Sequence, residues 1–219
     1  MTAPLPHAAR LSVLARLQLG LEALYRVETR LPIDAFVVDA ETRDATLGAG
    51  ARAPREQLVL QQSDGELAMA LFVDQGALEN LERNDPARGL DERNFGDFCL
   101  AVEGVSHFIY LALCAAGDRS VSQLELELQA EVDKYACCLL LAGRDPALRR
   151  RLYGDVKFAE DLDDDERARY QAANSEADRY AAALERRYVR PDRTDALFTE
   201  LRRFYRLALP EKLGRIAAL

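Results

Sequence analysis

The chain has 219 residues, 49% of them hydrophobic and 30% charged, with a formal net charge of −8. Such a composition excludes wholesale disorder and leaves enough apolar side chains to build a core without disulfides or structural metal. The balance of 37 Asp and Glu against 29 Lys and Arg argues against a sequence-independent nucleic-acid binder, which needs a basic footprint.

In chain order, Ala8 to Thr29 carries apolar residues at Leu11, Val13, Leu14, Leu17, Leu19, Leu21, Leu24 and Tyr25, roughly the stripe of an amphipathic helix. Leu31-Pro32 closes it. Ile33 to Asp39 (IDAFVVD) is short and β-branched and reads as a strand. The next segment, Ala40 to Pro54, is small and polar with Gly48, Gly50 and Pro54, and reads as a loop. Gln57 to Gln62 and Glu66 to Val73 are two apolar runs around Ser63-Asp64-Gly65, a hairpin signal.

From Gln75 onward the pattern turns helical. A short helix over 76–83 ends at Asn84-Asp85-Pro86, and a long one runs from about Asn94 to Ala116. Gly117-Asp118-Arg119 breaks it, and Ser122 with Glu125 opens the next, which runs to about Ala142. A short helix over 146–153 follows, then an acidic stretch, Asp161 to Glu166 (DLDDDE). That stretch lacks the Gly and distal Glu of a calcium loop and suits a helix N-terminus, where negative charge is stabilising. Helices over 167–188 and 195–207 and a last one from Pro210 complete the chain. The expected fold is predominantly helical α+β, one unit over 1–219. It has a helix and about three strands in 1–90 and a helical body in 91–219, centred on an antiparallel helical hairpin.

Cys99, Cys114, Cys137 and Cys138 have neither CxxC nor zinc spacing and read as reduced core thiols of a cytoplasmic protein. No secretory signal is evident, and the apolar run Phe98 to Ala116 is interrupted by Glu103, Ser106 and His107, so it reads as a buried helix rather than a membrane span.

That run carries the most information. Glu103, Ser106, His107 and Tyr110 fall at spacings that put them on one face. In the following helix Glu127, Glu131 and Lys134 form a second stripe, while Glu125, Gln129 and Asp133 point elsewhere. Counting outward from residue 119 sets His107 level with Glu131. Buried carboxylates and an imidazole left without partners would be costly, so the stripes must meet something.

Two readings follow. In the first, Glu103, His107, Glu127 and Glu131 hold one divalent ion (Zn, Fe or Mn) that activates water for hydrolysis. Glu127 then ligates or acts as base, Ser106 and Tyr110 assist as donors, and Lys134 sits alongside. In the second, the same groups form a structural core network in which Lys134 neutralises Glu127 or Glu131 and Glu103 satisfies His107. The protein is then a non-enzymatic interaction or regulatory protein. The order of elements is similar to that of minimal zincins, whose H-E-x-x-H is met here by Glu103-Gly104-Val105-Ser106-His107. The first His is thus Glu and the catalytic Glu is Gly, which removes the base. Paired ligand helices also resemble ferritin-like di-iron proteins, but those need two E-x-x-H segments and this chain has two histidines in all. His7, near the N-terminus, is not drawn into the site.

Near the C-terminus, Arg202, Arg203 and Arg206 lie among Phe204, Tyr205 and other aromatics, a possible face for an anion or partner protein. Neither nucleic acid nor membrane is expected as a partner; another protein or a second copy of the chain is.

Overall fold

The structure, a computed structural model, describes residues 11–48, 52–63, 66–154, 156 and 158–219. His7 and the tip of the expected hairpin, Asp64-Gly65, lie outside the described residues. The architecture is predominantly helical α+β, with a three-stranded mixed sheet.

Helix α1 spans Val13–Tyr25 and starts where Ser12 Oγ accepts the backbone N–H of Ala15 at 2.9 Å. Arg26, left-handed at φ 53°, ends it. The expected strand over 33–39 is shorter than the sequence suggests. Ile33–Ala35 forms a 3-10 turn, and only Val37–Val38 (β1) pairs.

The expected loop over 40–54 begins as a helix, α2 at Ala40–Leu47. Asp39 supplies the missing signal, its carboxylate accepting the N–H of Thr42 at 2.8 Å. Gly48, at φ 85°, stops the helix. Arg43 anchors it, buried over the Phe72 ring at 4.0 Å.

Strands β2 (Glu56–Ser63) and β3 (Glu66–Val73) are antiparallel, and β1 runs parallel to β3 on its other edge, giving the order β1-β3-β2. The register opposes Glu56 to Val73 at the end of the sheet nearest α3 (Gln75–Arg83). This matters for the site, because α4 (Phe95–Ala116) packs across β2 and β3.

Helix α5 (Gln123–Ala142) returns antiparallel to α4 and is covered by α6 (Asp164–Leu184). The acidic run ahead of α6 is a helix N-terminus, as expected. Asp163 accepts the N–H of Glu166 at 2.7 Å, and Glu166 accepts that of Asp163 at 3.2 Å. Helices α7 (Thr194–Tyr205) and α8 (Leu209–Ala218) close the body against α1 and α6. A continuous cluster of buried apolar side chains runs from Val13 through α4 and α5 to Ile216.

By length and composition α4 could cross a bilayer, but 72% of its most apolar window is buried by the rest of the chain. Its polar side chains are met by α5 and β2, so the core accounts for its hydrophobicity.

Candidate functional site

Helix α4 lies between the sheet and α5 and presents polar groups to both. Lys134 of α5 donates to Glu103 Oε2 at 3.0 Å and to Glu131 Oε1 at 2.8 Å, so its ammonium bridges two carboxylates on two helices. His107 sits in a matching arrangement. Its Nδ1 lies 3.4 Å from Glu56 Oε1 on β2, and its Nε2 lies 3.6 Å from Glu127 Oε2 on α5. At 3.6 Å the second contact is electrostatic rather than a hydrogen bond. The cluster thus comprises two carboxylate–cation–carboxylate triads side by side, His107 buried and the other five groups half-buried.

The electrostatics follow from burial set against pairing. Burial opposes the charge on His107, yet Glu56 and Glu127 outweigh it and hold the imidazole well above its usual value. Burial likewise opposes the Lys134 charge, and Glu103 and Glu131 overcome it. Glu103 is lowered, because Lys134 and His107 together exceed its desolvation. Glu56 and Glu131 are raised, burial outweighing the cation each faces. Two buried atoms, His107 Nε2 and Glu131 Oε2, make no hydrogen bond.

The structure brings Glu103, His107, Glu127, Glu131 and Lys134 together, with Lys134 on Glu131 as expected and the remaining pairs changed. His107 stands level with Glu127, one turn from the expected Glu131. Residue counting assumed an equal rise on both sides of the turn. Residues 119–122 are not helical, and Ser122 is extended at ψ 156°. Extended residues advance about 3.3 Å each against 1.5 Å in a helix, so α5 is displaced along α4. Lys134 accordingly neutralises Glu103 with Glu131, and His107 is satisfied from the sheet rather than by Glu103.

Ser106 and Tyr110 do not join the cluster. The polar face of α4 is about 100° wide, and its two edges meet different neighbours. Ser106 Oγ donates to Asp133 Oδ2 at 2.6 Å, and Tyr110 Oη donates to Glu125 Oε1 at 2.7 Å. Glu125, Gln129 and Asp133 therefore form a second polar stripe on α5, at spacings of four, distinct from that of Glu127, Glu131 and Lys134.

The Asp133 carboxylate also accepts from Tyr25 Oη and Gln129, and burial pushes it up to about 6 despite these donors. Lys212 of α8, fully buried, donates to Gln129 Oε1 and lies over the rings of Tyr110 and Phe204 at 4.8 and 4.6 Å. Desolvation pulls it down to about 7. Ser122 caps α5 through the Glu125 N–H, but Glu125 turns its carboxylate to Tyr110, Arg119 and the Leu209 N–H instead of closing the box.

The residue missed at the first cluster is Glu56. Its only trace in the sequence is Gly104, where a Cβ would come within 3.1 Å of Glu56 Cγ and 3.2 Å of its Oε1. A glycine in a buried helix interior costs stability unless something needs the space. Here the something is Glu56 reaching His107.

Among the described residues no group of three or more His, Cys, Asp or Glu side chains is placed to hold a metal ion. The position between Glu103 and Glu131 is filled by Lys134 Nζ. The C-terminal arginines also differ from expectation. Arg202 Nε donates to Leu24 O at 2.7 Å and Arg206 Nη2 to Tyr25 O at 3.0 Å, so both satisfy the last carbonyls of α1. Of the three, Arg203 is left facing outward. An apolar groove of about 260 Å³ lies between α1 and the end of α5, lined in part by Leu17, Gly20, Phe98 and Leu140, with none of the cluster residues in its wall.

Fold and site together define a predominantly helical α+β protein built around two self-paired carboxylate clusters. No known family, curated protein or solved structure matches the chain.

Proposed function

We propose that the chain acts without catalysis, as an interaction or regulatory protein, and that its Glu/His/Lys cluster is a structural network fixing the register of α4, α5 and β2. The observation that carries this reading is Lys134 Nζ, at 3.0 and 2.8 Å from Glu103 and Glu131, in the place a divalent ion would need. A cation supplied by the chain removes the electrostatic need for a bound one. Buried charge pairs of this kind specify register at little net gain in stability, which suits a scaffold.

The rival reading, a divalent ion supporting hydrolysis, draws on His107 Nε2 and Glu131 Oε2, two atoms of the cluster that are buried without hydrogen bonds. It requires Lys134 to withdraw. Elemental analysis of tag-free protein separates the two. The structural reading expects substoichiometric metal and a melting temperature unchanged by chelator. Stoichiometric metal that disappears in Glu103→Ala and His107→Ala variants would overturn it.

A further inference from the structure

We propose that Cys99 and Cys138 form an oxidation site, in which a peroxide-class oxidant converts the facing thiols into a disulfide that ties α4 to α5. The pairing follows the direction in which side chains meet across the hairpin. Lys134 reaches Glu103 across the antiparallel hairpin. Cys99 lies four residues before Glu103 on α4, and Cys138 four residues after Lys134 on α5. One turn back on one strand of the hairpin and one turn forward on the other keep the same offset that Lys134 bridges to Glu103. Packed helix axes lie about 8–10 Å apart with Cα atoms about 2.3 Å from each axis. Facing positions thus approach the separation of about 4.4–6.8 Å that a disulfide spans.

The contacts agree with the register. The neighbouring Cys99 side chain and burial together push the Cys138 thiol up, which sets the two thiols against each other. Lys134 is close enough to Cys99 for the sulfur to favour its charged form, which places a cation beside that thiol. Cys99 is half-buried and Cys138 fully buried, so the pair has one accessible member and one held in reserve behind it. Cys114, at the far end of α4, is bound by Arg119 Nη2 at 2.7 Å and takes no part.

The chemistry balances with hydrogen peroxide as the oxidant. The Cys99 sulfur attacks one peroxide oxygen, the O–O bond breaks, and the departing hydroxide takes up the Cys99 proton and leaves as water. Cys99 is now a sulfenic acid. The Cys138 sulfur then attacks the Cys99 sulfur, the S–O bond breaks, and hydroxide leaves as water with the Cys138 proton. Two thiols lose two electrons in total, and one peroxide becomes two waters.

Peptide mapping of the full chain, reduced and then treated with hydrogen peroxide and alkylated, tests this. Trypsin leaves Cys99 and Cys114 in one peptide, 94–119, and Cys137 and Cys138 in another, 135–144. The expected product is these two peptides joined within one chain, lighter by two hydrogens than the reduced pair, and separated by dithiothreitol. Fragment ions of the wild-type product assign the bond without relying on any variant's folding. The link persists in Cys114→Ser and Cys137→Ser, and is lost in Cys99→Ser and Cys138→Ala. A bond through Cys114 or Cys137, a bond between chains, or Cys99 driven to sulfonic acid with Cys138 still a free thiol would each overturn the proposal. So would a failure of both thiols to react in the folded protein while they react once it is unfolded in urea.

Discussion

Replacing Lys134 with methionine keeps the length of the side chain and removes the ammonium from between Glu103 and Glu131. Both carboxylate oxygens lie within 3.0 Å of Nζ, so they stand no more than about 6 Å apart. At an effective dielectric constant of about 20, two such charges repel by roughly 3 kcal/mol. That agrees with the lower end of the about 3–5 kcal/mol seen when one partner of a buried ion pair is removed. The lower end is appropriate because the Glu103 and Glu131 side chains keep 24% and 16% of their exposure. For a chain of this size, about 3 kcal/mol corresponds to a melting temperature lower by roughly 6–12 °C.

The sign with pH follows from which form each group prefers. In the wild type Glu103 and Glu131 hold Lys134 charged beyond its usual range, so the contribution of its charge is lost only as pH rises through that raised value. In the variant the two facing carboxylates accept a proton as pH falls, so the deficit at pH 5 should be smaller than at pH 7.5. Urea denaturation at the two pH values, with Glu131→Gln added on the Lys134→Met background, measures this. The second substitution should recover most of the loss. A Lys134→Met variant within 0.5 kcal/mol of wild type at pH 7.5, or a double variant less stable than the single, would refute the reasoning.

Three further outcomes follow from the same geometry. Glu56 and Glu127 raise the folded-state His107 value, so its pairing stabilises fully below about pH 6.5 and fades as pH rises through the raised value. His107→Gln should therefore cost more at pH 6 than at pH 9.5, and a nitrogen-15 titration of the ring should show it still protonated at pH 7.5. Gly104→Ala should destabilise by about 1 kcal/mol despite alanine's better helix propensity. Its Cβ would meet Glu56 and Leu71 Cδ1 at 3.1–3.2 Å, which a chemical melt would register. Between pH 7 and 10.5 the folded protein leaves Lys212 uncharged where the unfolded chain protonates it, so this group makes stability rise with pH. Lys212→Met should flatten that slope by up to about 1.4 kcal/mol per pH unit in urea melts.

What could be read from the sequence divides by range. Local signals gave the helices. Apolar periodicity located α1, α4 and α5, and the acidic run marked the start of α6. The spacing of Glu103, His107, Glu127, Glu131 and Lys134 exposed the cluster, since polar groups in apolar helices need partners. Helix α2 is short and polar and is followed by Gly48 and Pro54, so its one sequence signal is the Asp39 cap. Glu56 was missed because a carboxylate at a strand start carries no sign of which way it turns. Its partner is 51 residues away, and only Gly104 hinted at it. The stripe of Glu125, Gln129 and Asp133 was visible as a spacing, but Lys212 lies 83 residues beyond Gln129. The exchange of partners between Lys134 and His107 turned on how far residues 119–122 travel, a matter of backbone path that composition does not fix.

The most direct test of the account is whether the cation between Glu103 and Glu131 is Lys134 itself. In nitrogen-15 lysine-labelled protein, a buried, paired ammonium exchanges slowly and gives its own resonance. One such signal should vanish in Lys134→Met and remain unmoved when zinc or manganese is added in excess. Its displacement by stoichiometric metal, with the Lys134 ammonium released to rapid exchange, would contradict the account.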